Sequence, residues 1–200
     1  MKNFLIACVA IYLTWFIFFK QEAVVLGPGV FAPETPQQSK IASPNKFKFD
    51  EFIITPLAQF ELKAKVLGKE NYSRGREAEL SPTDLAFGWG RMSDEAVIEQ
   101  LDISQSGRWY RWNTKSNGFP IPRREIETSS ANMHIIPKND SVRHELKKIR
   151  QGDIVRLKGR LVRVDAQDGW HWKSSLTRSD TGGGACELIF VESLEIESVL

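Results

Sequence analysis

Residues 151–164, QGDIVRLKGRLVRV, decide how the rest of the chain is read. Val155, Leu157, Gly159 and Leu161 alternate with Arg156, Lys158 and Arg160, the period of two expected of a strand with one face in a core. The phase then slips, because Leu161 and Val162 are adjacent and both apolar, with Val164 following. A slip beside a glycine predicts a bulge or sharp bend, the device that lets one strand serve both sides of a small barrel. Before this strand, Val142, Leu146 and Ile149 form the apolar stripe of a helix capped by Asp140 or Ser141. Its last turn is basic (Lys147, Lys148, Arg150), which suits the helix dipole, and Gly152 stops it. Two strand-like runs follow, at 169–176 and 186–196, so the order points to a small closed β domain.

Upstream, residues 59–68 alternate Phe60, Leu62, Ala64 and Val66 with Glu61, Lys63 and Lys65, a strand pattern. Ser81-Pro82-Thr83-Asp84 has the form of a helix start, with a capping serine, proline at the first helical position and an early acid, and predicts a short helix ending at Gly88. Ser93, followed by Asp94 and Glu95, caps a second helix that buries Val97, Ile98 and Leu101. Residues 103–112, ISQSGRWYRW, read as a strand, 118–122 as a turn, and 131–136 as a strand stopped by Pro137.

Gly152-Asp153-Ile154-Val155-Arg156-Leu157-Lys158-Gly159 resembles the GD-x-V-x-L-x-G opening of the fourth strand in OB-fold families, which include nucleic-acid binders and small periplasmic bacterial proteins. Strand, strand, helix, strand, strand is also the order of that fold. The resemblance covers residues 131–196. It implies a mainly β, α+β fold: a small OB-like β barrel with a helix before the fourth strand. Residues 72–101 stand outside this pattern and read as a helical insertion. In outline the chain also resembles a membrane-tethered bacterial family that implies no activity.

The chain has 200 residues, 42% hydrophobic and 26% charged, an ordinary globular composition. Lysine plus arginine is 27 against 25 acids, a near balance that makes no global case for nucleic acid. Residues 143–163 differ locally, with eight basic side chains against Glu145 and Asp153. Cysteines occur at 8 and 186, so a disulfide framework and a cysteine-rich zinc site are both excluded from the domain.

Residues 4–19, FLIACVAIYLTWFIFF, are uncharged and apolar between Lys2 and Lys20. At 16 residues the run is slightly short for a membrane helix, and snorkelling flanks make up the difference. A cleaved signal wants small residues just after the run, which are absent; a lipoprotein reading of Leu5-Ile6-Ala7-Cys8 leaves too few residues ahead of the cysteine. The expectation is therefore a single-pass anchor at 1–20 in the cytoplasmic membrane, with the bulk of the chain outside the cytoplasm. Residues 21–46 carry Pro28, Pro33, Pro36 and Pro44 and read as a tether, leaving 47–200 as the domain.

Candidate binding residues fall in three groups. Trp170 and Trp172 share one face of a strand while His171 and Lys173 share the other, followed by a loop with Arg178, Asp180 and three glycines. That loop reads either as a plain hairpin connection or as an anion cradle. Trp109 and Arg111 interleave aromatic and cationic side chains, as stacking sites do, against the simpler reading that they fill the core. Arg156, Lys158 and Arg160 form a basic strip that is either a solvated face or a polyanion surface. His134, His144 and His171 lack metal-site spacing, and nothing in the chain calls for a cofactor.

These features predict a binding or scaffolding module of the cell envelope rather than an enzyme, with another envelope protein or an anionic glycan as partner. The alternatives are a hydrolase using the 170–187 loop, with Cys186 or a His171 or His134 base, and a cytoplasmic nucleic-acid-binding OB domain.

Overall fold

A computed structural model describes residues 22–177 and 186–198. The expected anchor at 4–19 lies outside these residues; among the described ones, no helix is long and apolar enough to cross a membrane.

The chain is mostly strand, and five of its strands close into a ring. In chain order the strands are β1 (Gln37–Lys40), β2 (Phe47–Phe49), β3 (Phe52–Asn71), β4 (Thr83–Gly88), β5 (Leu101–Ser106), β6 (Trp109–Thr114), β7 (Ser130–Pro137), β8 (Ile154–Asp165), β9 (His171–Lys173) and β10 (Glu187–Glu197). The ring runs β3-β4-β7-β10-β8 and back to β3. Its one parallel pairing is β7 with β10, and the other ring pairs are antiparallel. The helices are α1 (Arg76–Leu80), α2 (Glu95–Ile98), α3 (Arg123–Thr128) and α4 (Asp140–Lys148). Inside the ring, Phe60, Leu62, Leu85, Phe87, Met133, Ile135, Leu157, Leu161 and Ile189 form the main core, and α4 adds Val142, Leu146 and Ile149 as its stripe predicts.

The phase slip in β8 has a different cause from the bend expected there. The strand keeps its register through Gly159, Leu161 and Val162; the extra residues stand in its partners, Leu57 between Pro56 and Ala58 of β3, and Glu192 between Val191 and Ser193 of β10. Val155, Leu157 and Leu161 face the main core, whereas Val162 and Val164 belong to a second cluster with Ile54, Ile136, Leu188 and Phe190. Alternate residues of β7, β8 and β10 go to the two clusters, so the second lies on the outer face of the same strands. The outward row of β8 is thus solvated at Arg156 and Lys158, then covered from Val162 onward.

Several local expectations yield to tertiary context. Thr83–Gly88 is no helix but the strand β4, buried along its whole length between β3 and β7. The start signal at Ser81-Pro82 is real locally, but a segment with both faces covered gains more from two ladders than from an isolated turn. Residues 72–101 accordingly hold a ring strand as well as α1, the 3₁₀ turn Gly90–Ser93 and α2. Residues 103–112 fold as the β5–β6 hairpin, turning at Gly107 and Arg108, both with positive φ (57° and 66°), the two-residue turn that matches strand twist. Asn139 rather than Asp140 or Ser141 caps α4, its side chain accepting from the Val142 N–H, and Asp94 rather than Ser93 caps α2. Within the expected 169–176 strand only His171–Lys173 is laddered, and α3 follows the 118–122 turn.

Residues 22–46, expected as a tether, are laid along the domain. Val24 N–H donates to the Gln151 carbonyl at 2.8 Å, Ala32 N–H to Ser93 Oγ at 3.0 Å, and Gly29 N–H to Asp94 Oδ1 at 2.8 Å. β1 pairs with residues 58–61 of β3. Buried Lys65, ion-paired to Glu95, has the Phe31 ring 5.8 Å from its ammonium. A chain starting at residue 47 keeps the Lys65–Glu95 pair but loses the strap's backbone bonds, β1 and the Phe31 ring, and its urea midpoint should correspond to roughly 2 kcal/mol less stability than a chain starting at residue 22. Equal midpoints would show that the strap contributes nothing.

Candidate functional site

Three segments meet over the outer face of β4 and β7: the β3–β4 loop with α1, the tip of the β5–β6 hairpin, and the part of the β8–β10 connection that carries β9. They enclose a cleft of about 770 Å³ whose lining includes Tyr72, Arg74, Arg76, Arg108, His134, Trp170, Trp172 and Lys173.

Arg108 is its centre. The positive-φ turn brings this side chain back onto the barrel, where it is 14% exposed. Nη1 donates to Asp84 Oδ1 at 2.8 Å, Nη2 donates to the Ser81 carbonyl at 3.1 Å, and Nε lies 2.9 Å from Glu77 Oε2. The guanidinium lies over the Tyr72 ring at 4.2 Å and the Trp172 ring at 5.1 Å. Arg108 N–H donates to Tyr72 Oη at 2.8 Å, and Asn132 Nδ2 donates to the Arg108 carbonyl at 3.0 Å. Gln105 Nε2, from the same hairpin, donates to Asn132 Oδ1 at 2.6 Å. Planar charge, ring faces and backbone are all used, a set of contacts that a lysine could not reproduce.

Asp84 is fully buried and is shared. Its Oδ1 also lies 2.9 Å from His134 Nδ1, while Asn132 Nδ2 donates to Oδ2 at 3.3 Å. Asp84 and His134 are cross-strand partners on β4 and β7, so register alone brings them together. The His134 ring packs on Trp172 with centroids 4.7 Å apart. Burial, and then the negative charge of Asp84, push the Tyr72 phenol up to about 12, so it stays protonated and available as a hydrogen-bonding group at neutral pH.

On the far side of the cleft, Arg76 donates to both carboxylate oxygens of Asp168, at 3.1 and 2.5 Å, and lies over Trp170 at 5.4 Å. That pair holds the Asp168 carboxyl below the usual carboxylate range. Trp170 and Trp172 face the same way, 6.3 Å apart, as their spacing predicts.

The residues picked from sequence separate clearly. Trp109, Trp170 and Trp172 line this cleft, and Trp109 also lines a neighbouring one. Arg111, 6.0 Å from the Trp109 ring, lines that neighbouring cleft, of about 670 Å³, with Trp112 and Phe119. Arg156, Lys158 and Arg160 stand apart on the outer row of β8, each with an acid: Glu197 at 2.9 Å, Glu61 at 3.2 Å and Glu192 at 2.5 Å. His171 is exposed on the opposite side of β9 from Trp172. Arg178 and Asp180, with the three glycines, lie outside the described residues. Among the described residues, no group of three or more His, Cys, Asp and Glu is placed to hold a metal ion.

Arg108 belongs to the arginine–aromatic run 106–112 but was not singled out from it, and sequence reasoning missed Asp84, Tyr72 and Arg76 as site residues. The available signal was Gly107, a turn residue inside a run read as one strand.

No protein-family model matches the chain, and no curated protein or solved structure is significantly similar to it.

Proposed function

We propose that the chain is a membrane-tethered binding module of the cell envelope, built on an OB-fold barrel, that takes an anionic ligand in the Tyr72–Arg108–Trp172 cleft. The ring order, with its single parallel pair and with α4 between the third and fourth ring strands, supports the OB reading. OB domains bind through the face of strands two and three and through the loops joining strands one to two and four to five. Asp84 and His134 stand on the corresponding strands, Tyr72, Arg74 and Arg76 on the first loop, and Trp170, Trp172 and Lys173 on the second.

One observation carries the reading. Around the fixed Arg108 cluster, Arg74 and Lys173 line the cleft with no carboxylate of the described residues within 4.0 Å, whereas the β8 strip is neutralised residue by residue. Cations left unpaired beside a rigid aromatic wall favour a ligand that brings the counter-charge. An apolar N-terminal run and a domain placed outside the cytoplasm belong to the same proposal; C-terminal reporter fusions test the side of the membrane, and a cytoplasmic result would instead favour the nucleic-acid alternative. The hydrolase alternative draws on the His134–Asp84 contact and on Cys186 lining the same cleft, but the Asp84 oxygen that meets His134 also holds Arg108.

The test is binding of the full chain in detergent micelles to sulfated, uronate and phosphate glycans, with neutral dextran as control. Affinity should fall as salt rises. Arg74→Ala with Lys173→Ala should weaken binding about tenfold, since two surface charges at ~0.7 kcal/mol each amount to one decade. Equal binding of neutral and anionic glycans would overturn the proposal.

A further inference from the structure

Resting on that binding reading, we propose that the Tyr72 cleft continues into a second basic cleft beside α4, and that the two together form one groove for a linear anionic glycan.

Tyr72 lines both clefts. The second, of about 870 Å³, lies between the end of β3 and the C-terminal turns of α4; its charged lining among the described residues is Lys69, Arg143, Lys147 and Arg150, of which Arg150 is paired with Asp153 at 3.5 Å. Lys69 donates to the carbonyls of Leu146, Lys147 and Ile149 at 2.9, 3.0 and 2.9 Å, so its ammonium is held by neutral acceptors, with the Asp153 charge acting on it from further off. Among the described residues, Lys147 has no carboxylate within 4.0 Å, and Arg143 reaches Asp140 at 3.8 Å. In the first cleft the one acidic lining residue among the described residues, Glu77, is engaged by Arg108. Among the described residues, positive charge without a carboxylate within 4.0 Å therefore runs from Lys173 and Arg74, past Tyr72, to Lys147, with Arg143, loosely paired to exposed Asp140, beyond it. Each cleft is of the size that holds a small molecule, so a ligand touching both is longer than one or two sugar units.

The ring faces choose between polymers. A nucleic-acid strand stacks its bases on open aromatic faces. Here Arg108 covers a face of Tyr72 and of Trp172, His134 packs on Trp172, and Arg76 lies over Trp170. The second cleft has Tyr72 as its one aromatic lining residue. Trp109 is the exposed ring, with Arg111 6.0 Å from its centroid, and one open ring gives no series of platforms for successive bases. What remains is spaced positive charge with apolar edges, which matches acidic groups carried on saturated sugar rings better than stacked bases.

The experiment titrates the full chain, in detergent micelles, with heparin-derived oligosaccharides of increasing length and with oligothymidylate of equal charge. Affinity for the glycan should rise steeply once the chain spans both clefts. Arg143→Ala with Lys147→Ala should weaken the long oligosaccharide about tenfold and leave the shortest binder unchanged, by the arithmetic of linked sites; Arg74→Ala with Lys173→Ala should weaken both. Lys147→Glu alone, which leaves the arginine in place, repeats the test on a second background, and circular dichroism verifies that α4 is intact. A long oligosaccharide indifferent to the α4 variants but sensitive to the Arg74 and Lys173 variants overturns the extended groove and leaves the binding module standing. Indifference to both sets overturns the binding reading itself. Tighter binding of oligothymidylate with the same variant pattern overturns the glycan assignment.

Discussion

Gly159→Ala is expected to cost about 2–4 kcal/mol and to lower the melting temperature by on the order of 5–15 °C. Gly159 sits where β8 is laddered on both sides, opposite Phe60 of β3 and Val191 of β10. A Cβ added there falls inside contact distance of the Phe190 carbonyl oxygen and 3.0 Å from Val191 Cα, both backbone atoms of a neighbouring strand. Neither neighbour can swing aside as the end of a flexible side chain would, so the β8–β10 pair must spread or the bulge at Glu192 must move. The same residue explains why that bulge is where it is: with no side chain at 159, β10 can close on β8 and absorb its extra residue. Gly118→Ala is the control, since nothing lies within 4 Å of its added Cβ, and it should melt with the wild type. Thermal unfolding followed by circular dichroism decides the matter; a Gly159→Ala protein as stable as the Gly118→Ala protein would remove the close approach as the reason for the glycine.

How much of this was legible follows from which information is local. The inward row of β8 is a strict alternation and identified the strand; the α4 stripe did the same for its helix. The slip at Leu161 and Val162 was visible too, but its cause was not, because it reports what covers the outer face and not what the backbone does. Thr83–Gly88 failed for the opposite reason. Its local start signal is genuine, and only the presence of β3 and β7 on either side turns it into a strand.

The site follows the same division. Trp170 and Trp172 were found because residues two apart in a strand share a face, and they do. The β8 cations were picked for their sign, yet the acids that neutralise them come from β3 and β10, 97, 41 and 32 residues away in sequence. Arg108 has no pattern of its own. Its position depends on a reversal at Gly107 that returns the hairpin tip to the barrel, and its partner Asp84 lay in a segment read as helix.

Asp84→Ala is expected to destabilise the protein by about 3–5 kcal/mol, the usual cost of removing one side of a buried charge pair. The carboxylate is enclosed entirely, and three side chains from two other segments converge on it: Arg108 from the hairpin tip, and His134 and Asn132 from β7. Its loss strands a guanidinium that is 14% exposed, with the Ser81 carbonyl and half-exposed Glu77 as the remaining polar partners of its side chain. Asp84→Asn keeps the shape and gives up the charge, and should fall between wild type and Asp84→Ala. Because Arg108 and Asp84 act on one another, the double variant Asp84→Ala/Arg108→Ala should lose clearly less than the sum of the single losses, by about 1–3 kcal/mol. Urea unfolding followed by tryptophan fluorescence measures the wild type, the two Asp84 variants, Arg108→Ala and the double variant, and the titration with anionic glycan measures the site in each. Additive losses would mean that the two side chains contribute separately and that the hairpin tip is held by something else. Non-additive losses together with loss of binding place Asp84 where the geometry puts it, as the anchor that lets one arginine set the aromatic wall, so that stability and ligand binding fail together at this residue and separately at Arg74 or Lys173, whose charges face the ligand alone.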